Sequence, residues 1–154
     1  DVNSFNDAIE MIEKLGAVLY RINECQVLLN SIRNSFKGMN NIGQHKSVLY
    51  FIWQEPNYVA GNSTYIGSII NTLGFVNLCK INRYPDFDDL SVDSPDYVFL
   101  SSEPFPFTSR HIDYFKSKFP DSKIVLVNGE MFSWYGSYML KVPFYVNDEL
   151  KKLL

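Results

Sequence analysis

Three stretches of this sequence place a glutamate among aromatic side chains: Trp53-Gln-Glu-Pro-Asn-Tyr-Val-Ala-Gly61, Ser101-Ser-Glu-Pro-Phe-Pro-Phe107 and Asn128-Gly-Glu-Met-Phe-Ser-Trp-Tyr-Gly136. The acids are Glu55, Glu103 and Glu130. Around them stand both tryptophans, Trp53 and Trp134, with Tyr58, Phe105, Phe107, Phe132 and Tyr135, and with Ser102 and Met131 between. A carboxylate in such company can hold a cation, pair with a partner's arginine, or act as a general base. The plainer alternatives are solvation or capping of the helix that follows. Rigid aromatic rings suit a flat, apolar or conjugated ligand, or a protein surface. Equally, each ring can cover the core beneath its own loop.

No other part of the chain assembles a reaction centre. There is no GxGxxG and no GxSxG, and Gly61 to Gly67 lacks the lysine of a phosphate-binding loop. The two histidines, His45 and His111, are not spaced as a metal pair. Cys25 lies in a helical stretch as small core filler, and Cys79 follows a short strand with no neighbouring base to activate it. Asp86, Asp88, Asp89, Asp93 and Asp96 lack calcium-loop spacing. No catalytic residue, metal ligand or resident cofactor is expected.

The elements that must position the three stretches are legible from the apolar pattern. Ser47–Ile52, Tyr97–Leu100 and Lys123–Val127 read as strands buried on both faces. Between and after them come a helix over Ser63–Leu73 ended by Gly74, a short strand at Val76–Leu78, a helix over Thr108–Lys118, another over Ser133–Leu140, and a last one from Pro143. This alternation predicts an α/β fold: a four-stranded, mainly parallel sheet flanked by helices, with right-handed crossovers. Ligands of such sheets sit outside the carboxyl ends of the strands, and the three glutamate-bearing stretches follow those ends directly.

The chain has 154 residues, 46% hydrophobic and 20% charged, enough to bury a core and too apolar to be disordered. A net charge of -3 offers no basic excess for a nucleic-acid partner. No apolar run approaches the ~18 residues needed to span a bilayer. The first 37 residues stand apart. From Ser4 to Phe36 there is no proline and one glycine, Gly16, and Ala8, Ile12, Leu15, Leu19, Ile22, Leu29, Ile32 and Phe36 fall at helical spacing. The spacing predicts one long backbone helix over residues 1–37, a rod of roughly 50 Å, then an α/β lobe over 38–154 with a linker at 38–43. A break near Gly16, or a coiled-coil strand, remains the alternative.

Trp53, Pro56, Ala60-Gly61, Tyr65-Ile66, Ile69-Ile70, Leu73-Gly74 and Asn77, with Ser94–Pro104 and Asn128–Ser137, resemble the second half of the helical-backbone metal-receptor proteins. Those are substrate-binding proteins of ABC importers for iron–siderophores, haem and cobalamin. The resemblance implies a transport role outside the cytoplasm, in the periplasm or as a membrane-anchored lipoprotein. It implies a metal chelate as ligand, an ABC permease as docking partner, and no enzymatic activity. Trp53, Tyr58, Ser102, Glu103, Phe105, Phe107, Glu130, Met131, Phe132, Trp134 and Tyr135 would line the cleft. Met131 stands where cobalamin binders carry a tryptophan, which argues against cobalamin. The family has two lobes, and the chain holds residues for one. With its start at Asp1, this makes a missing N-terminal lobe, or a homodimer across the exposed face, the expectation. A small α/β enzyme using Glu103 or Glu130 as general base, and a coiled-coil interaction module, are the competing readings.

Overall fold

The computed structural model describes residues 1–39 and 41–154. It begins with helix α1 (Phe5–Val18). Ser4 caps it, its Oγ accepting the Asp7 N–H at 3.1 Å, and the Asp7 carboxylate accepts the Asn3 N–H at 2.9 Å. Helix α2 (Ile22–Lys37) follows after three residues.

The expected single rod is therefore broken. Tyr20 takes a left-handed φ of 55°, and the Arg21 N–H donates to Gly16 O at 2.8 Å, turning the chain back on itself. Gly16 permits the close approach, because a Cβ there would lie 2.6 Å from the Cys25 Sγ. An Arg33–Glu13 ion pair at 3.2 Å and Phe5 and Phe36 rings 4.8 Å apart complete an antiparallel helical hairpin. The continuous stripe fails because its middle has nothing to pack on: Leu15, Leu19 and Ile22 are 49%, 62% and 59% exposed. The buried apolar side chains are Ala8, Ile9 and Ile12 on α1 and Leu29 and Ile32 on α2, all in the core cluster they share with the sheet. Of the stripe that a coiled-coil partner would need, Ala8, Ile12, Leu29 and Ile32 are used within the chain, while Leu15, Leu19 and Ile22 stay exposed.

The sheet holds β1 (Ser47–Phe51), β2 (Val76–Asn77), β3 (Tyr97–Ser101) and β4 (Lys123–Val127), all parallel, in the order β2-β1-β3-β4. Leu49 faces Val98, and Phe99 faces Val125. Between β1 and β2 lies α3 (Tyr65–Thr72), capped by the Thr64 hydroxyl, which accepts the Gly67 N–H at 2.9 Å. Between β3 and β4 lies α4 (Ile112–Lys118). After β4 come α5 (Glu130–Ser133), a 3-10 stretch at Gly136–Lys141, and α6 (Val142–Tyr145), which continues through a π turn into α7 (Lys151–Leu153). Trp134 and Tyr135, both extended, separate α5 from the 3-10 stretch, which opens at Gly136 with φ 82°, so the helix read over Ser133–Leu140 starts earlier and is split. Of the linker read at 38–43, residue 40 lies outside the described residues.

Strand periodicity sorts the core into two layers. Val48, Tyr50, Phe99, Val125 and Val127 face the hairpin, α3 and the C-terminal helices. Leu49, Phe51, Val98 and Leu100 face α4, packing with Phe115 and Phe119. Much of the aromatic content is spent here: Tyr50 on Phe132 at 5.0 Å, Phe51 on Phe115 at 4.7 Å, Phe75 on Phe99 at 5.3 Å between ring centroids. At the amino ends of β1 and β3, the Asp96 carboxylate accepts the Ser47 N–H and hydroxyl, each at 2.8 Å, and pairs with Lys46 at 3.0 Å.

Candidate functional site

The strand order creates a switch point. The chain leaves β1 toward α3 on one face and leaves β3 toward α4 on the other, so the two loops part and open a crevice between the strand ends. The first loop, after Phe51, and the second, after Ser101, are tied by the Phe105 N–H, which donates to Ile52 O at 3.3 Å. Above that bond Trp53 and Phe105 meet edge to face at 5.6 Å. Phe105 in turn packs on Phe107 at 4.7 Å, and Phe107 lies buried against Phe115 and His111.

The third loop, after β4, is fastened to the second by hydrogen bonds. The Gly129 N–H donates to the Ser102 Oγ at 2.9 Å. Position 129 must be glycine here, since a Cβ would collide with the Ser101 Oγ and the Glu103 side chain. One oxygen of Glu103, Oε1, accepts both the Ser133 hydroxyl at 2.5 Å and the Trp134 indole N–H at 2.8 Å. Glu130 is held in parallel fashion: its Oε2 accepts the Tyr138 hydroxyl. That bond, with its nearby negative charge, pushes the Tyr138 hydroxyl above its ordinary pKa. The Tyr138 ring carries Trp134 at 5.2 Å and the Lys141 ammonium at 3.8 Å. Glu103 and Glu130 line one concavity of about 470 Å³, with Ser102, Phe107, Leu126, Val127 and Asn128.

Of the residues singled out from sequence, the structure brings Trp53 and Phe105 together at the crevice, and Ser102, Glu103, Glu130 and Trp134 together beside it. Tyr135 sits over Tyr65, with ring centroids 5.4 Å apart. Tyr58 is exposed and bridges the backbone of Asp86. Phe107, Met131 and Phe132 are at most 8% exposed and belong to the core, although Phe107 also reaches the wall of the Glu103–Glu130 concavity. They lie near the strand ends, but the Phe107 and Phe132 rings and the Met131 side chain are taken up by packing below the rim. Sequence reading missed Ser133 as a partner of Glu103, and it missed Tyr138, Tyr65 and Tyr84. No local spacing announces Tyr138: α5 ends at Ser133 and a separate 3-10 stretch begins at Gly136, so the chain reversal between them, not one helical face, brings Tyr138 to Glu130 and Trp134. Tyr84 reaches the rim on a segment that pairs with the first loop, where the Gly61 N–H donates to Arg83 O at 2.9 Å. Partial burial raises its hydroxyl pKa, with Tyr135 in electrostatic reach.

Among the described residues, no three His, Cys, Asp or Glu side chains gather as a metal site. A second concavity, about 430 Å³, is lined by Lys46, Tyr97, Lys151 and Leu154 at the amino ends of the strands. That is the end of a parallel sheet where ligands are not received.

No family model matches the sequence, and no curated protein matches it by sequence. Solved structures do match it by fold. An ABC transporter substrate-binding protein from Listeria monocytogenes superposes with a TM-score of 0.74 at 19% identity, covering 100% of this chain and 66% of that one. IsdE of S. aureus, complexed with heme, gives a TM-score of 0.74 at 18% identity over 99% of this chain and 66% of that one. The periplasmic heme-binding protein BhuT, holding two hemes, gives 0.77 at 16% identity over 99% and 65%. The fold is thus that of an α/β lobe, with its leading helices, from substrate-binding proteins of ABC transporters. The chain spans just under two thirds of the length of those structures.

Proposed function

We propose that this chain is the C-terminal lobe, with its leading helices, of a substrate-binding protein that delivers a metal chelate such as an iron–siderophore, haem or cobalamin to an ABC permease outside the cytoplasm. A second, N-terminal lobe would face the rim and close the cleft. The observation that carries this reading is the aromatic rim at the β1/β3 switch point, where Trp53 on Phe105 and Trp134 on Tyr138 offer ring surface beside hydrogen-bonding carboxylates. Rings already braced by packing and hydrogen bonds lose little freedom on binding a conjugated or apolar chelate. The role is binding without catalysis. One oxygen of each rim carboxylate is tied to its own protein, Glu103 to Ser133 and Trp134 and Glu130 to Tyr138, an arrangement that shapes a surface.

Isothermal titration of the full-length protein with a ferric hydroxamate, a ferric catecholate, haem and cobalamin tests the reading. Micromolar or tighter binding of at least one is expected. Failure of all of them to bind would overturn it.

A further inference from the structure

Arg83 has a left-handed backbone, φ 66°, which a non-glycine residue keeps only where its surroundings enforce it. Its main chain is laced to the first strand-end loop. The Gly61 N–H donates to Arg83 O, the Arg83 N–H to Asn62 O and the Asn62 N–H to Ile81 O, each at 2.9 Å, and the Val59 N–H donates to Pro85 O at 3.1 Å. Its side chain goes to a different part of the chain. The guanidinium donates through Nη1 to the Asn3 Oδ1 and through Nη2 to the Asp1 carboxylate, both at 3.2 Å.

That far end is itself anchored. The Asn3 N–H donates to the Asp7 carboxylate at 2.9 Å, and the Phe5 N–H donates to the Ser68 Oγ of α3 at 3.0 Å. Leader and loop border a polar concavity of about 490 Å³, with Asn3 and Ser4 from the leader and Asn62, Ser63 and Thr64 from the loop. Arg83 is bonded to both walls, to Asn62 by its main chain and to Asn3 by its side chain. The segment it belongs to also carries rim side chains. Tyr84 follows it directly, Tyr58 bridges Asp86, and both rings are exposed.

We propose that Arg83 is a positioning residue for binding: its guanidinium holds the first strand-end loop, and Tyr58 and Tyr84 with it, in register with the start of the helical hairpin. The inference rests on the transport reading above and concerns what sets the shape of that same site. Arg83 and Asp1 are 61% and 72% exposed, and a pair so exposed adds little to global stability. Its effect is local. It narrows the range of positions the loop visits, so that less ordering is left for the ligand to impose. Arginine suits the task because its planar fork holds two acceptors in one geometry, which a lysine ammonium does not.

Two variants of the full-length protein test it. Arg83→Asn removes the guanidinium but keeps a residue that tolerates the left-handed backbone, and Arg83→Lys keeps the charge but loses the fork. Amide exchange at Gly61 is read by NMR without ligand, and each protein is titrated with a ferric hydroxamate, a ferric catecholate, haem and cobalamin. In Arg83→Asn, exchange at Gly61 is expected to quicken at least threefold. Affinity for the tightest wild-type binder is expected to fall at least fivefold, with Tm within about 2 °C of wild type. Arg83→Lys is expected to recover part of the affinity. Unchanged exchange or full affinity in Arg83→Asn overturns the inference and leaves the transport reading standing. So does complete recovery in Arg83→Lys, because charge alone would then account for the loss, and so does a larger fall in Tm in both variants, which would make Arg83 a general structural residue. Wild-type silence toward all four probes removes both readings.

Discussion

The indole N–H of Trp134 donates to Oε1 of Glu103 at 2.8 Å, joining loops that lie 31 residues apart in sequence. The Ser133 hydroxyl reaches the same oxygen at 2.5 Å. These two bonds, with Gly129 N–H on Ser102 Oγ, are side-chain links that hold the β4 loop against the β3 loop. The rim thus has a defined shape before any ligand arrives, and binding need not order it.

Removing Glu103 should release that link. Glu103→Ala is expected to cost about 1–2 kcal/mol, from hydrogen bonds to a charged acceptor that is part-exposed, or a fall in Tm of roughly 4 °C for a chain of this size. Trp134 emission should shift to the red as the indole gains water. Unchanged emission together with unchanged Tm would show that the link holds nothing in place.

The base of the sheet has its own acid-sensitive clamp. The Ser47 N–H is the main cause holding the Asp96 carboxyl down to about 2, from an ordinary 3.8, with Lys46 and the Ser47 hydroxyl adding to it. The folded-state value is depressed, so the stabilisation is fully present above pH 3.8 and is lost as pH falls toward 2. Asp96 and Lys46 are 38% and 57% exposed, so solvent screening reduces the contribution to about 1 kcal/mol. Urea midpoints for wild type and Asp96→Asn should differ at pH 6 and converge near pH 2. A constant difference across that range would show that the clamp is not the source.

The fold was legible where burial on both faces writes continuous apolar runs, as at Ser47–Phe51 and Lys123–Val127, and the strand-end loops followed directly from it. The hairpin was legible only as the alternative of a break near Gly16, because its turn, at residues 19–21, carries neither glycine nor proline. Tyr20 takes the left-handed conformation itself, and Gly16 serves the contact with Cys25 instead of the turn. At the rim, sequence placed the three loops at the strand ends but did not separate rings that look outward from rings that look down. Trp134 and Phe132 are two residues apart and end on opposite sides of that boundary, because the helical turn of α5 points Phe132 at Tyr50. The hydrogen bonds among Glu103, Ser133 and Trp134 join separate loops, and no local spacing announces them.

Tyr20 gives a prediction of the opposite sign. It is 93% exposed at φ 55°, so its side chain packs on little while its Cβ strains the turn. A left-handed non-glycine residue costs roughly 1–2 kcal/mol, partly offset by the extra freedom glycine brings to the unfolded chain. Tyr20→Gly should therefore raise stability by about 0.5 kcal/mol in urea unfolding, and Tyr20→Val should lower it, since a β-branched residue fits the left-handed region worst. A loss of stability in Tyr20→Gly would mean that the strain released is smaller than the freedom glycine adds to the unfolded chain.

Phe132 and Trp134 separate core from rim in a single pair of measurements. Phe132 is 1% exposed and wedged among Tyr50, Phe99 and Tyr145, with centroids 5.0, 6.1 and 6.4 Å away. Phe132→Ala leaves a cavity that these rings cannot collapse to fill, at a cost of about 3–5 kcal/mol. Trp134 is 47% exposed, so Trp134→Ala removes one hydrogen bond and one ring contact, for about 1 kcal/mol. Chemical denaturation should rank the two in that order. Chelate affinity, measured under conditions where both variants are folded, should rank them the other way, with Trp134→Ala losing tenfold or more and Phe132→Ala within a few-fold of wild type. If Phe132→Ala were the more damaging to binding at full folding, the core ring would have to be reached by the ligand, and the boundary drawn at α5 would be misplaced.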